Sequence, residues 1–525
     1  MAHRIAIALA ACLGLLALPA VAAADEAEPL FDPTAVAEID FVLPPASLQK
    51  LEEEPETDEY QHAEITAKVA GVTHSLADVG FRLKGGHGSF RELDGKAAFK
   101  VKFNQFVKGQ KLLGLKKMTL NNMVQDASMV HETLSYELFR DLGLPASRTG
   151  YAFVRVNGVA YGVYLDLETY DDVMLPRLFA STQHLYEADA PGVDVRPGEA
   201  GTFEVDEGDD ADLSDLEALI EAVNEGEGDW SDNVSPVADL TEMTRAWAVE
   251  RYVAHWDGYA GTAGAFRPNN YYLHSDEAGV FQTLPWGTDQ TWEPVKEVEF
   301  DEPAGGLMFN ECIADASCRQ LYLAGLSEVR CAALDAGAAT QAAQLGAMLA
   351  PYQDDEDEDR RESSPGEIAE ELEEVEAFAT VRPEQLEDFL VDEGFFGAGP
   401  DPCAGPEPQP TPVVTGGNPP QLRVTSTAQI RRSRVKGAFV ITPVDVTGSI
   451  LLKQRVRTRV DGKVRRVCGD RLLSTAPGRS LLRCRLPGWA LDRLADRPLR
   501  LAVAVETTSQ LDRRIAIRGI TVPRR

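Results

Sequence analysis

The sequence predicts an α+β body followed by a small all-β domain of sandwich type. Three observations carry this. Up to residue 399, strand-type alternation and helix-type periodicity are interleaved, with turns between them. Residues 400–420 hold eight prolines, the composition of an extended linker. Beyond the linker lie only short alternating segments separated by Gly and Pro, such as 449–456, 464–468 and 499–505. The 525 residues leave ample chain for a buried core in each part.

The formal net charge of −33 conceals two opposite parts. Residues 421–525 hold 24 Lys and Arg against 7 Asp and Glu, whereas the chain before them holds 27 against 77. The body is therefore strongly acidic and the tail basic. Nucleic-acid binding is excluded as the body's task, because a phosphate backbone needs a basic footprint. The basic domain is expected to contact an anionic envelope polymer or the acidic body. Nucleic acid is not its expected partner, since its aromatic residues are limited to Phe439 and Trp489.

At the amino terminus, Met1-Ala-His-Arg4 precedes an apolar stretch from Ile5 to Leu18, Pro19, small residues through Ala24, and Asp25-Glu26. This predicts a signal peptide, residues 1–24, cleaved near Ala22–Ala24, and a secreted or cell-surface protein. Leu9-Ala-Ala-Cys12 resembles a lipobox, but too little apolar sequence precedes it and too much follows. No later apolar run reaches the ~18 residues of a membrane span, so none is expected in the mature chain. Cleavage removes Cys12 and leaves six cysteines, an even number that in an exported chain suggests disulfides. Of the fifteen pairings, the sequential one, Cys312–Cys318, Cys331–Cys403 and Cys468–Cys484, is cheapest in loop closure. None of the six lies in a Cys-x-x-Cys pattern, so structural zinc is not expected.

Residues 41–103 read as short strands. Phe99-Lys-Val-Lys-Phe103 puts Lys100 and Lys102 on one face. Residues 126–142 read as a helix stopped by Gly143 and Pro145. Tyr151–Val156 and Tyr161–Leu165 flank Asn157-Gly158, a strong hairpin signal. An acidic insert over about 187–239 contains one short helix around 213–223. Its stretch 204–215 is read as a solvated loop, with Ca²⁺ binding as the alternative. A helix over 241–256 leads into a hairpin, 271–273 with 280–284, in which residues 270 and 285 are expected to face each other. Helices fill 314–349 and 367–377, with the charged run 354–361 between them as a solvated loop.

There is no His-Glu-x-x-His, no Gly-x-Ser-x-Gly and no Walker A segment, so the common hydrolases and P-loop enzymes are not indicated. Three other features carry chemistry. Arg82-Leu-Lys-Gly-Gly-His-Gly-Ser89 is either a plain β-turn or a loop whose glycines let the backbone approach phosphate, with Lys84 supplying charge. Asp257, Asn270 and Asp289 are brought to one end of the second hairpin by local geometry. Two oxygen ligands there suit Mg²⁺, while the plain alternative is a cap, a turn Asn and a surface Asp. Lys102 precedes a helix bearing Glu132, either a surface pair or one that holds phosphates.

The runs that carry a resemblance are Arg82-Leu-Lys-Gly, Ala98-Phe-Lys-Val-Lys-Phe103, Leu113-Gly-Leu-Lys-Lys-Met-Thr-Leu-Asn-Asn122, His131-Glu-Thr-Leu-Ser-Tyr-Glu-Leu-Phe-Arg-Asp-Leu-Gly143, Val156-Asn-Gly-Val-Ala-Tyr-Gly-Val-Tyr164, Asn269-Asn-Tyr-Tyr-Leu-His274 and Leu284-Pro-Trp286. Over residues 41–349 the chain resembles the spore-coat protein H (CotH) kinase family. The resemblance implies a bilobal, atypical protein-kinase-like domain over 25–399. It implies a secreted enzyme that uses ATP and Mg²⁺ or Mn²⁺, with Ca²⁺ an alternative, to phosphorylate Ser or Thr of exported or surface proteins. By position Lys102 holds the ATP phosphates, Glu132 orients that lysine, Lys84 lies in the nucleotide-covering loop, and Glu168 falls near the hinge. Asp257 is the base, and Asn270 and Asp289 are the metal ligands. The family often has Trp-Asp-x-Asp where this chain reads Trp286-Gly-Thr-Asp289, so one carboxylate is missing. The alternative is therefore a catalytically inactive kinase-like scaffold that binds at the cell surface.

Overall fold

The computed structural model describes residues 25–395 apart from 87, 189, 262–267 and 297–298, together with Cys403 and the strands within 428–522. The expected signal peptide lies outside the described residues. The chain divides into two units, Met1–Glu407 and Pro408–Arg525, and the division falls inside the proline-rich stretch. Among the described residues no helix is long and apolar enough to cross a membrane.

The first unit begins with a closed barrel. Its strands are β1 (Val36–Val42), β2 (Gln61–Val69), β3 (Val72–Lys84), β4 (Ala98–Lys102), β5 (Lys117–Asn121), β6 (Thr149–Val156) and β7 (Val159–Leu167). They pair in the order β1-β2-β3-β4-β5-β7-β6, and a parallel β1–β6 ladder closes the ring. Helix α1 (Pro45–Glu53) joins β1 to β2, and α2 (His131–Asp141) lies between β5 and β6. Alternation along the strands turns Phe41, Phe81, Phe99 and Tyr164 inward, with Phe81 and Phe99 4.8 Å apart. Asn157 and Gly158 both take positive φ, 50° and 82°, as a two-residue hairpin turn between β6 and β7 requires.

A larger apolar core forms beside the barrel around Trp247, Tyr259, Trp292 and Phe309. After α3 (Leu175–Leu178) come β8 (His184–Glu187), β9 (Glu204–Glu207), α4 (Ser214–Asn224), α5 (Trp230–Val234) and α6 (Leu240–Tyr252). The hairpin β10 (Tyr271–Ser275) and β11 (Phe281–Pro285) follows, then α7 (Leu307–Ala314), α8 (Ala316–Ala336), α9 (Ala338–Gln353) and α10 (Pro365–Asp392). Strands β11-β10-β8-β9 form one sheet. Disulfides join Cys312 to Cys318 and Cys331 to Cys403. The side chains of Cys468 and Cys484 lie outside the described residues.

Several elements depart from the sequence reading for identifiable reasons. Helix α2 starts at His131 and not at 126. The Asp126 carboxylate accepts from the backbone N–H of Met129 and His131 (2.9 and 2.8 Å), so residues 126–130 form the helix entry. The hairpin register is Tyr271 with Pro285, one residue from the expected pairing. Trp286 N–H donates to Asn270 O, 3.1 Å. Helix α10 runs well past residue 377. A Ser364–Glu367 capping box starts it, and the buried Arg382 anchors it by donating to the carbonyls of Arg251 and Tyr252. The charged run 354–361 is only partly a solvated loop, because Glu356 is buried against Lys96.

In the second unit the described strands are β12 (Ala428–Ile430), β13 (Arg434–Lys436), β14 (Phe439–Val446), β15 (Ile450–Val460), β16 (Lys463–Ser474), β17 (Gly478–Arg485), β18 (Leu499–Ser509) and β19 (Asp512–Val522). They make two four-stranded sheets: β12-β14-β13, with β17 pairing β14, and β16-β15-β18-β19.

Candidate functional site

Barrel register decides which lysine meets helix α2. Lys84 pairs with Ala98, Lys100 with Arg82, and Lys102 with Gly80. Moving along β4 from Ala98 to Lys102 therefore moves away from Lys84, by about 14 Å at ~3.4 Å per residue. On the other side of β4, Phe99 pairs with Leu120, so Asn121 lies one step further on, near Ala98. The small Ala98 between them lets Lys84 reach across and donate its ammonium to Asn121 Oδ1. Asn121 Nδ2 in turn donates to Glu132 Oε2 on α2, 2.9 Å. The lysine that comes to Glu132 is thus Lys84, through Asn121. Lys102 lies at the far end of β4 over the Tyr60 ring, 5.9 Å from its centroid, so the expected Lys102–Glu132 pair is not formed.

The glycine-bearing loop after Lys84 is held at both ends. Gly85 has φ +128°, and a Cβ there would come within 2.9 Å of Phe90 Cα, so only glycine fits. The buried Asn122 donates to Ser89 O (2.9 Å) and Lys96 O (2.7 Å). From the α9–α10 connection, Glu362 accepts from Arg91 (2.6 Å), and Arg360 donates to Leu93 O (3.1 Å). Glu356 is ion-paired to Lys96 at 2.7 Å.

Two further segments follow α6 and β11. Helix α6 ends at Tyr252, Ala254 turns with φ +57°, and His255-Trp-Asp257 follows as a turn. His255 Nε2 donates to Gly287 O (3.1 Å), which ties the Asp257 turn to the Asp289 loop. His131 Nδ1 donates to Asp289 O (2.7 Å), which ties the same loop to α2. A carbonyl can only accept, so each ring carries its proton on the bonded nitrogen. Asn270 has φ +53° and sits against Gly287, where a Cβ would lie 2.8 Å from Asn270 Oδ1. The position that lacks a carboxylate is therefore one where Asn270 already occupies the space.

The electrostatics place these groups in one neighbourhood. Burial raises Asp289 well above the usual carboxylate range, and Glu132, Asp257 and Asp126 add to it. Burial also raises Asp257, against the pull of His255, Lys296 and the adjacent Asn270. Glu132 is pushed up to about 7 by burial, in spite of Asn121 and Lys84. Burial and then Lys100 bring Lys84 down to about 8, against Glu132, Asp289 and Glu187. Asp289 thus lies within electrostatic reach of Lys84, Glu132 and Asp257, and Asp257 lies beside Asn270. Buried Asp257 Oδ1 and Glu132 Oε1 lack hydrogen-bond partners. Surplus carboxylates with orphaned oxygens and no sulfur near them would suit a hard divalent cation such as Mg²⁺, and the neighbouring His131 and His255 rings are engaged with backbone carbonyls. Among the described residues no three His, Cys, Asp or Glu side chains gather closely enough to hold a metal by themselves.

Glu168, just beyond β7, is buried and already bound. Its carboxylate accepts from Arg148 (2.9 and 2.7 Å) and Arg177 (2.5 Å). In the acidic stretch Asp215 is not free for Ca²⁺, because it accepts from Tyr186 (2.6 Å) and pairs with His184 (2.9 Å). Asn121, His131 and His255 escaped the sequence reading. Asn121 stood in a noted run without a role, and each histidine acts through a backbone carbonyl that has no sequence signature.

A sequence model of the family described as CotH kinase protein matches residues 81–386, from β3 into α10. The chain is also similar to inner spore coat protein H of Bacillus subtilis (strain 168), 26% identical over 238 residues. That match takes in 43% of this chain and 61% of the relative, less than two thirds of its length.

Proposed function

The chain belongs to the CotH kinase protein family, and from that premise we propose that it is a secreted kinase that moves the γ-phosphoryl group of ATP onto Ser or Thr of exported or surface proteins. What supports this reading is the chain of contacts from Lys84 through Asn121 to Glu132, with Asp289 in electrostatic reach of Lys84, Glu132 and Asp257, and Asn270 beside Asp257. The barrel with its glycine loop is the nucleotide-covering lobe and the helical body the substrate lobe, a bilobal kinase-like layout.

In this reading Lys84, and not Lys102, contacts phosphate oxygens. Asn270 and Asp289 hold Mg²⁺ or Mn²⁺, whose charge offsets that of the triphosphate. Asp257 accepts the proton of the substrate hydroxyl as its oxygen bonds to the γ-phosphorus and the bond to the β-phosphate oxygen breaks, leaving ADP. The burial that raises Asp257 suits it to hold that proton. Glu168, engaged by two arginines, positions the junction after β7 and takes no nucleotide contact.

Export is supported by the leader sequence and by the two disulfides. The Bacillus relative is named as an inner spore coat protein. The basic unit is read as a β-sandwich that binds an anionic envelope polymer. A catalytically inactive scaffold remains the second reading, favoured by Gly287 in place of a carboxylate.

The test is incubation of the mature chain with labelled ATP and Mg²⁺, Mn²⁺ or Ca²⁺, repeated with Asp289→Asn and Asp257→Ala. Transfer lost in both variants supports the enzyme. Nucleotide binding without transfer supports the scaffold, and no nucleotide binding removes the kinase reading.

A further inference from the structure

Lys84 and Glu132 are linked without touching. No direct ion pair joins them, and the contacts between them run through one amide. Lys84 donates to Asn121 Oδ1, and Asn121 Nδ2 donates to Glu132 Oε2 at 2.9 Å. The chemistry allows only this orientation, since an ammonium can only donate and Oε2 is placed to accept. Asn121 ends β5 in register with Leu165 of β7, and that ladder fixes its backbone. Its neighbour Asn122 serves the other task, holding the β3–β4 connection through Ser89 O and Lys96 O.

We infer that Asn121 is a positioning residue, whose amide holds the Lys84 ammonium in line with Glu132 and so fixes the cation that meets the nucleotide phosphates. The inference rests on the nucleotide reading above for its consequence, but the amide relay is a property of the free protein. An amide suits the position because it both accepts and donates without charge. A carboxylate at 121 would add to the Glu132, Asp289 and Asp126 cluster. An apolar side chain would leave the ammonium without its acceptor, at a cost comparable to a lost hydrogen bond to a charged group.

Two measurements on the mature full-length chain test this. The first is the rate at which an amine-acylating reagent labels Lys84 near neutral pH without nucleotide, read by mass spectrometry with Lys102 as internal reference. Asn121→Ala frees the amine and labels Lys84 about fivefold faster or more. Asn121→Ser serves if the alanine variant does not fold. An unchanged rate overturns the relay.

The second is Mg·ATP binding in a double-mutant cycle of Asn121→Ala with Lys84→Met. Each single variant weakens binding about tenfold or more, and the double variant is no weaker than Lys84→Met alone. Additive losses overturn the inference, because a structural role for Asn121 does not pass through Lys84. Faster labelling in a protein whose wild type binds no Mg·ATP supports the relay and overturns the nucleotide reading.

Discussion

Replacing Glu356 by Gln tests the contact that holds the α9–α10 connection to the barrel. Glu356 Oε1 lies 2.7 Å from Lys96 Nζ, with the two side chains 6% and 5% exposed. Lys96 also lies over the Tyr164 ring, 5.8 Å from its centroid. The fit is tight, because a Cβ on Gly162 would come within 2.5 Å of Glu356 Cδ. Removing one member of such a pair strands the other charge away from water, which costs about 3–5 kcal/mol, whereas replacing both by apolar groups is close to neutral. Glu356→Gln is therefore expected to lose about 3 kcal/mol, and Lys96→Met with Glu356→Leu less than about 1 kcal/mol. Urea unfolding followed by tryptophan fluorescence reads the difference as a lowered midpoint for the single variant and recovery in the double. A single variant that unfolds with the wild type, or a double variant worse than the single, refutes the reasoning.

Four further outcomes follow from the same contacts. Glu250, which accepts from Ala260 N–H at 2.6 Å, is raised to about 8 by burial, so between about 4.5 and 8 the folded state keeps a proton that the unfolded state has lost. Stability falls as pH rises through that window, and Glu250→Gln should be the more stable protein at pH 8 but not at pH 5 in thermal melts. The disulfides differ in span, 72 residues for Cys331–Cys403 and 6 for Cys312–Cys318. Loop closure gives about 4 and about 2 kcal/mol, so Cys331→Ser with Cys403→Ser should melt well below the other pair of serine variants. Lys84→Met should weaken Mg·ATP binding ten- to a hundredfold by roughly the worth of a charged hydrogen bond, while Lys102→Ala changes it less than about twofold, both by calorimetry. Binding of the full chain to an anionic glycan should fall steeply as salt is raised. A salt-independent affinity would remove the basic unit as the contact.

Much of the fold was legible because local signals agreed with tertiary demands. Asn157-Gly158 dictated its hairpin, and the alternation of 99–103 put the aromatic residues inside the barrel. The hairpin between Asn270 and Pro285 followed from chain order, with a register read one residue short. What failed was decided by contacts between distant segments. The choice of Lys84 over Lys102 depends on how β3, β4 and β5 are staggered, and no single strand records that stagger. Glu356 reads as solvated because its run is charged, but its partner Lys96 lies 260 residues earlier in the chain. The early start assigned to α2 came from periodicity that continues through 126–130, where the Asp126 carboxylate takes the backbone donors instead.

The histidine tethers have a bearing on experiment. His131 and His255 grip the Asp289 loop by its main-chain oxygens at positions 289 and 287 and not by that loop's side chains. Exchanging what projects from residue 289 leaves that grip intact. An isosteric Asp289→Asn protein should therefore keep the loop's path, so a lost activity can be attributed to the missing charge and not to a collapsed scaffold. The same experiment on His131 would carry no such guarantee.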